Sequence, residues 1–103
     1  MTRPLENRNA IITGANQGLG LAIAKAYVES GANVLMCARD GKLLEQAHQE
    51  VLSLVIGYEQ KVIAHVGDVS HPEHVKDIVA LAINQFSHLH ILVNNAGIYG
   101  PKG

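Results

Sequence analysis

Apolar residues fall along this chain in short blocks of two alternating kinds. One kind is a β-branched or aliphatic run bounded by turn formers: Ala10-Ile11-Ile12-Thr13 ahead of Gly14, Val34-Leu35-Met36-Cys37-Ala38, Val62-Ile63-Ala64-His65-Val66, and Ile91-Leu92-Val93-Asn94. The first of these, closed by Gly14, is how a strand buried on both faces reads, and the other three read as further strands. The other kind has helical spacing. From Leu19 to Ser30, Ile23 and Tyr27 stand four apart beside Ala22 and Ala26, and Gly31 follows as a C-terminal stop. The many alanines predict a helix lying close against a sheet. A second helix carries Leu44, Ala47, Val51 and Leu54 on one face, with Gly57 ending the unit. A third repeats Val75, Ile78, Val79, Ala82, Ile83 and Phe86. Ahead of it Ser70-His71-Pro72-Glu73 matches a capping box, in which Ser70 accepts from the Glu73 N–H and Pro72 sits in the first turn.

Strand and helix thus alternate as βαβαβαβ. Crossovers of this length require parallel pairing and right-handed connections. The predicted fold class is α/β, a doubly wound parallel sheet in a single domain, without internal repeat or linker. Only Gly100-Pro101-Lys102-Gly103 follows the last apolar block and its turn, so the sheet reads as truncated after its fourth strand.

Composition narrows the picture. A chain of 103 residues is at most one small domain. With 48% apolar and 17% charged residues it has the balance of a globular core. A net charge of -1 offers no basic field for nucleic acid or an anionic membrane. No uncharged apolar run approaches the roughly 20 residues of a membrane span, and MTRPLENRN lacks the apolar core of a leader. Cys37, the single cysteine, excludes an internal disulfide and a cysteine-based zinc cluster and suits a reducing compartment, so the expected location is cytoplasmic. Its own role reads either as a small buried filler or as a modifiable thiol. The histidines, His71 and His74 at a helix start, His88 and His90 around a loop and His65 in a strand, have no ligand-like context, and no metal is expected.

The chemistry concentrates between the first strand and the first helix. Gly14, Gly18 and Gly20 stand in a strand-to-helix turn, where unpaired N–H groups and the helix dipole favour an anion, most simply a phosphate. Gly14 suits the sharp turn out of the strand, Gly18 the close approach of a diphosphate, and Gly20 tight helix-to-strand packing. The spacing is G-x-x-x-G-x-G, and taken alone it also fits an ordinary turn. Its place after a strand, at the opening of a helix and at the start of a βαβ unit favours the ligand.

Thr13-Gly14-Ala15-Asn16-Gln17-Gly18-Leu19-Gly20, then Asp68-Val69, then Asn94-Asn95-Ala96-Gly97 together resemble the classical short-chain dehydrogenase/reductases, in order and spacing, over essentially the whole chain. The resemblance implies a Rossmann-type fold binding NAD(H) or NADP(H), with Gly14, Asn16, Gln17, Gly18, Leu19 and Gly20 around the diphosphate. It further implies Asp68 on the adenine amino group with the Val69 backbone assisting, and Asn95, Ala96 and Gly97 along the adenosine ribose. Independently of it, Gly14, Arg39, Asp68 and the Asn94–Gly97 segment all fall just past predicted strand ends, where open α/β sheets bind ligands. Asp68 also reads as a plain helix-entry residue and Asn94–Gly97 as a plain turn. Tyr99 either lines the same cleft or only packs.

Arg39 stands 19 positions after Gly20, near where an acidic residue would accept from the ribose 2′-OH of NAD. A guanidinium there can stack on adenine and pair with a 2′-phosphate, so NADP(H) is favoured over NAD(H). Asp40 beside it, and Gln17 where many NADP-preferring relatives are basic, weigh the other way, and a merely solvated Arg39–Asp40 loop is the alternative.

In the family a Tyr, with a Lys four residues later and a Ser, supplies the proton at the substrate oxygen. Four positions past Tyr27, Tyr58 and Tyr99 stand Gly31, Val62 and Gly103. The chain is therefore expected to be the N-terminal, cofactor-binding part of an oxidoreductase that reduces carbonyls or oxidises alcohols, inactive alone and homo-oligomeric in its full form. The alternative is a non-catalytic dinucleotide-binding or sensor module.

Overall fold

The computed structural model describes residues 4–57 and 59–94. Seven elements follow in the expected alternation: β1 (Asn9–Thr13), α1 (Gly18–Glu29), β2 (Asn33–Ala38), α2 (Gly41–Leu52), β3 (Val62–Val66), α3 (Pro72–Phe86) and β4 (Ile91–Asn94). The sheet order is β3-β2-β1-β4 and every pairing is parallel. β1 is central, with Ile11 beside Leu35 on one side and Leu92 on the other. The chain reverses its direction of travel across the sheet between β1 and β4, which makes the gap beyond their carboxyl ends the switch point.

Alternate residues of the strands feed two cores. Ile12, Val34 and Met36 join Ala24, Val28, Leu44, Ala47 and Val51 under α1 and α2. Ile11, Leu35 and Cys37 join Ile78, Ala82 and Phe86 under α3. β1 and β2 are thus buried on both faces, the reason their sequences show no alternation.

Four local expectations need correction. In α1 the buried line is Gly20, Ala24 and Val28, one residue on from Ile23 and Tyr27, which pack at its flank, while Ala22 and Ala26 face outward. Small residues at positions 20 and 24 are what let the helix lie against the sheet. α2 stops at Leu52, so Leu54 joins the core from the following turn. The capping box does not form: Pro72 occupies the first helical position, which makes His71 the N-cap, without a side-chain cap bond. Ser70, one residue too early, gives its hydroxyl proton to Asp68 Oδ1 at 2.7 Å instead. Of those six α3 residues Ile78, Ala82 and Phe86 are buried against the sheet, because six apolar positions at this spacing cover more than one face, and Leu81 packs beside them. Val75, Val79 and Ile83 stay exposed, as does Leu92 of β4 at 62%.

β1 and β2 also start one residue earlier than their apolar runs. Buried Asn9 donates through Nδ2 to the Phe86 and His88 carbonyls (3.3 and 2.9 Å) and accepts from Asn33 Nδ2 at 2.8 Å. Asn33 Oδ1 in turn accepts the Lys61 N–H at 2.8 Å. The two amides hold the amino ends of the strands and the exit of α3 in register, leaving the carboxyl ends free for the site.

Candidate functional site

A cleft of ≈ 1000 Å³ opens over the carboxyl ends of the strands. Gly14, Asn16 and Gln17 line it from the β1–α1 turn, Arg39 and Asp40 from the β2–α2 turn, and Gly67, Asp68 and Val69 from the β3–α3 turn. Asn94 closes it from the end of β4. Parallel strands put all four turns on one side, so residues more than 50 positions apart meet there.

The first turn is built for an anion. Gly14 and Gly18 have φ of 63° and 57°, a left-handed conformation that strains any residue with a Cβ. A Cβ placed on Gly18 would meet nothing within 4 Å, so the space over that peptide is open. Gln17, the N-cap of α1, makes no side-chain cap bond, and the first turn of α1 holds no acidic residue. The positive end of the helix therefore faces the cleft without a side chain neutralising it. The turn is tethered rather than loose: Ala15, fully buried, donates its N–H to the Cys37 carbonyl at 3.2 Å. The Thr13 hydroxyl lies 3.2 Å from Asn94 Oδ1 and 3.3 Å from the Val93 carbonyl, tying the ends of β1 and β4 together.

Of the residues singled out above, Gly14, Asn16, Gln17, Arg39, Asp68 and Val69 line the cleft. Gly18 and Leu19 are exposed at the helix start, and Gly20 is buried inside α1 against the sheet, a packing position rather than a contact surface. Asn95, Ala96, Gly97, Tyr58 and Tyr99 lie outside the described residues.

Arg39 is exposed at the cleft wall. Its neighbour Asp40 is the N-cap of α2, its Oδ1 accepting the N–H groups of Lys42 and Leu43, both at 3.0 Å. This role went unread in the sequence, although an Asp directly before a helix is a recognised cap signal. Asp68 is held by its successor: Ser70 donates both its hydroxyl and its N–H to Oδ1 (2.7 and 2.9 Å). Those two bonds, the hydroxyl first, keep its carboxyl below the usual carboxylate range, and the charges of His71 and Arg39 act in the same direction. Cys37 is buried at the end of β2, and burial, with the Asp68 charge adding, pushes its thiol up to about 11. It is a protonated filler at neutral pH. Among the described residues no group of three His, Cys, Asp or Glu converges as a metal site, and no helix is long and apolar enough to cross a membrane.

Comparison with known proteins agrees with this architecture. The chain is 35% identical to 1-deoxy-11-beta-hydroxypentalenate dehydrogenase of Streptomyces exfoliatus over 99 residues, covering 96% of this chain and 34% of that protein. It is 33% identical to L-fucose dehydrogenase of Rattus norvegicus over 91 residues, 88% of this chain and 31% of the relative. Among solved structures, L-sorbose reductase from Gluconobacter frateurii, complexed with NADPH and L-sorbose, superposes with a TM-score of 0.83 at 33% identity, covering 94% of this chain and 36% of that one. The chain spans about a third of the length of the curated relatives it matches. The family model described as short chain dehydrogenase matches residues 8–103, and with the parallel sheet and its glycine turn already in place, this chain belongs to the short-chain dehydrogenase family.

Proposed function

We propose that the chain is the dinucleotide-binding half of an NAD(P)(H)-dependent oxidoreductase acting on a carbonyl or alcohol, and that it prefers NADP(H) to NAD(H). The observation that carries the reading is the uncapped start of α1, with its two left-handed glycines, facing a cleft at the sheet's switch point. Gly14, Asn16, Gln17, Gly18 and Leu19 would surround the diphosphate, while Gly20 lets α1 close on the sheet. Asp68 and the Val69 backbone would meet the adenine, and Asn95, Ala96 and Gly97 the ribose. Bound nicotinamide supplies hydride transfer; the chain's part is to hold the diphosphate by backbone N–H groups and to orient the adenosine.

The cofactor preference rests on the second turn. Arg39 is exposed and available for a 2′-phosphate, and the Oδ1 of the adjacent Asp40 is held by the first turn of α2. That L-sorbose reductase is complexed with NADPH accords with this choice. Tyr-x-x-x-Lys does not occur in the 103 residues, so the catalytic Ser, Tyr and Lys are assigned to a part of the protein outside residues 1–103, along with the substrate pocket and the completion of the single NAD(P)-binding domain. The alternative reading is a non-catalytic dinucleotide-binding or sensor module, which the same cleft would serve. A cytoplasmic, homo-oligomeric enzyme completes the proposal.

The test is titration of NADPH and NADH against the protein and its Arg39→Asp variant. NADPH is expected to bind the wild type more tightly, and the variant to exchange the preference. Equal NADPH affinity in the variant refutes the cofactor assignment. Absence of binding of either nucleotide to folded protein refutes the site. Turnover of carbonyls by the protein carrying residues beyond 103 separates the enzyme from the sensor.

A further inference from the structure

The β3–α3 turn carries a feature that the dinucleotide reading does not use. Every polar group of Asp68 but one is tied down. Its carbonyl accepts the His71 N–H at 2.9 Å, and its Oδ1 accepts both donors of Ser70. Its N–H is held by a side chain six residues on, His74 Nδ1, at 2.8 Å. The remaining atom, Oδ2, has only His71 Nε2 at 3.5 Å, beyond a good hydrogen bond. The rings of His71 and His74 stand 5.1 Å apart, so both imidazoles bear on one residue.

We propose that His74 is a positioning residue for the adenine end of the cleft, holding the Asp68–Val69 backbone by accepting the Asp68 N–H on a neutral ring nitrogen, and that the pair His71 and His74 makes dinucleotide affinity fall with pH. This rests on the reading that Asp68 and Val69 meet the adenine. Nδ1 can accept only while it carries no proton. Protonation places two N–H groups against each other at 2.8 Å, and the ring or the turn must move. His71, once charged, draws Oδ2 to itself and away from an adenine amino group. Both events act in the same direction, weakening the adenine end as protons are added.

Other charged and titratable groups also face the turn. Arg39 faces it from the β2–α2 turn, its guanidinium acting on the Asp68 carboxylate. Asp68 is held below the usual carboxylate range and the buried Cys37 thiol is pushed far above neutrality, so neither changes charge between about pH 5 and 8. On α3 itself, Glu73 and Asp77 are the neighbouring carboxylates. His65 of β3, beside Gly67, is a further imidazole near the turn.

The test uses ADP-ribose, which keeps the adenine and diphosphate but has no group titrating in this range, measured by calorimetry at about pH 8 and about pH 5.5. Wild-type affinity is expected to drop about 3–10-fold at the lower pH, the worth of one backbone hydrogen bond. His74→Leu should show most of that loss already at the higher pH. His74→Asn, whose Oδ1 can accept the same N–H without titrating, should restore affinity there and flatten the profile, leaving only the smaller His71 component, which His71→Asn removes. In ligand-free protein the Asp68 amide resonance should titrate in the wild type and stop doing so in His74→Asn. A pH-independent wild-type affinity, or a full pH response surviving in His74→Asn, overturns this inference alone. No ADP-ribose binding at either pH, with NADPH also failing to bind, overturns the site reading and this inference with it.

Discussion

Replacing a glycine by alanine should have opposite signs at two places where the added methyl group has equal room. At both Gly18 and Gly57 a Cβ would meet nothing within 4 Å, so packing contributes to neither change. The difference is the backbone. Gly18 has φ +57°, whereas Gly57 carries no such left-handed angle. Holding an L-residue in the left-handed region costs about 1–2 kcal/mol. At a compatible position the same substitution stabilises by about 0.4–1 kcal/mol, by restricting the unfolded chain. That gain is common to both variants, so Gly18→Ala should unfold more easily than Gly57→Ala by the strain alone, about 1–2 kcal/mol. For a domain of this size each kcal/mol moves the melting temperature by about 4–8 °C. The assay is thermal unfolding by circular dichroism, at one protein concentration and without nucleotide. The methyl group at position 18 also enters the space assigned to the diphosphate, so NADPH affinity should fall in Gly18→Ala and hold in Gly57→Ala. If Gly18→Ala melts at or above Gly57→Ala, the turn does not need its left-handed glycine and the cradle argument loses its footing.

Three further outcomes are expected. Asp40→Ala, which strips the caps from the Lys42 and Leu43 N–H groups, should cost about 1 kcal/mol in urea unfolding with an unchanged m-value; no loss would mean the cap is idle. Asn9→Ala leaves the Phe86 and His88 carbonyls and the Asn33 amide without their partner and should cost about 1–3 kcal/mol by the same measurement. Cys37 has a thiol raised from 9.0 to about 11, so the fold favours its neutral form: that contribution is complete below about pH 9 and is lost as pH rises through 11, and thiol-reactive dyes should label folded protein slowly at neutral pH and rapidly once it unfolds. Fast labelling of the folded state at pH 7 would contradict the burial.

The order of elements was open to reading because each depends on local chemistry. An uninterrupted aliphatic run such as Ala10-Ile11-Ile12 belongs to a sheet covered on both sides, and Gly31 can close a helix whatever surrounds it. The same holds for the site. Strand ends in a parallel sheet must share a side, so Gly14, Arg39 and Asp68 could be placed together before any coordinates were known. The capping box failed for a reason of position. Pro72 sets the helix start one residue later, so His71 and not Ser70 stands at the N-cap, and the Ser70 hydroxyl is turned to Asp68. Periodicity on α3 named six apolar residues but could not say which three meet the sheet.

The sequence by itself determined the alternation of strands and helices, the glycine turn and the side of the sheet on which it opens, since these follow from backbone conformation and short-range spacing. Tertiary structure alone decided that Asn9 locks the exit of α3 and that the Asp68 N–H donates to His74. Those roles depend on distances of a few tenths of an ångström between side chains and backbone groups, and residue type and spacing do not encode such distances until the sheet has brought the turns together.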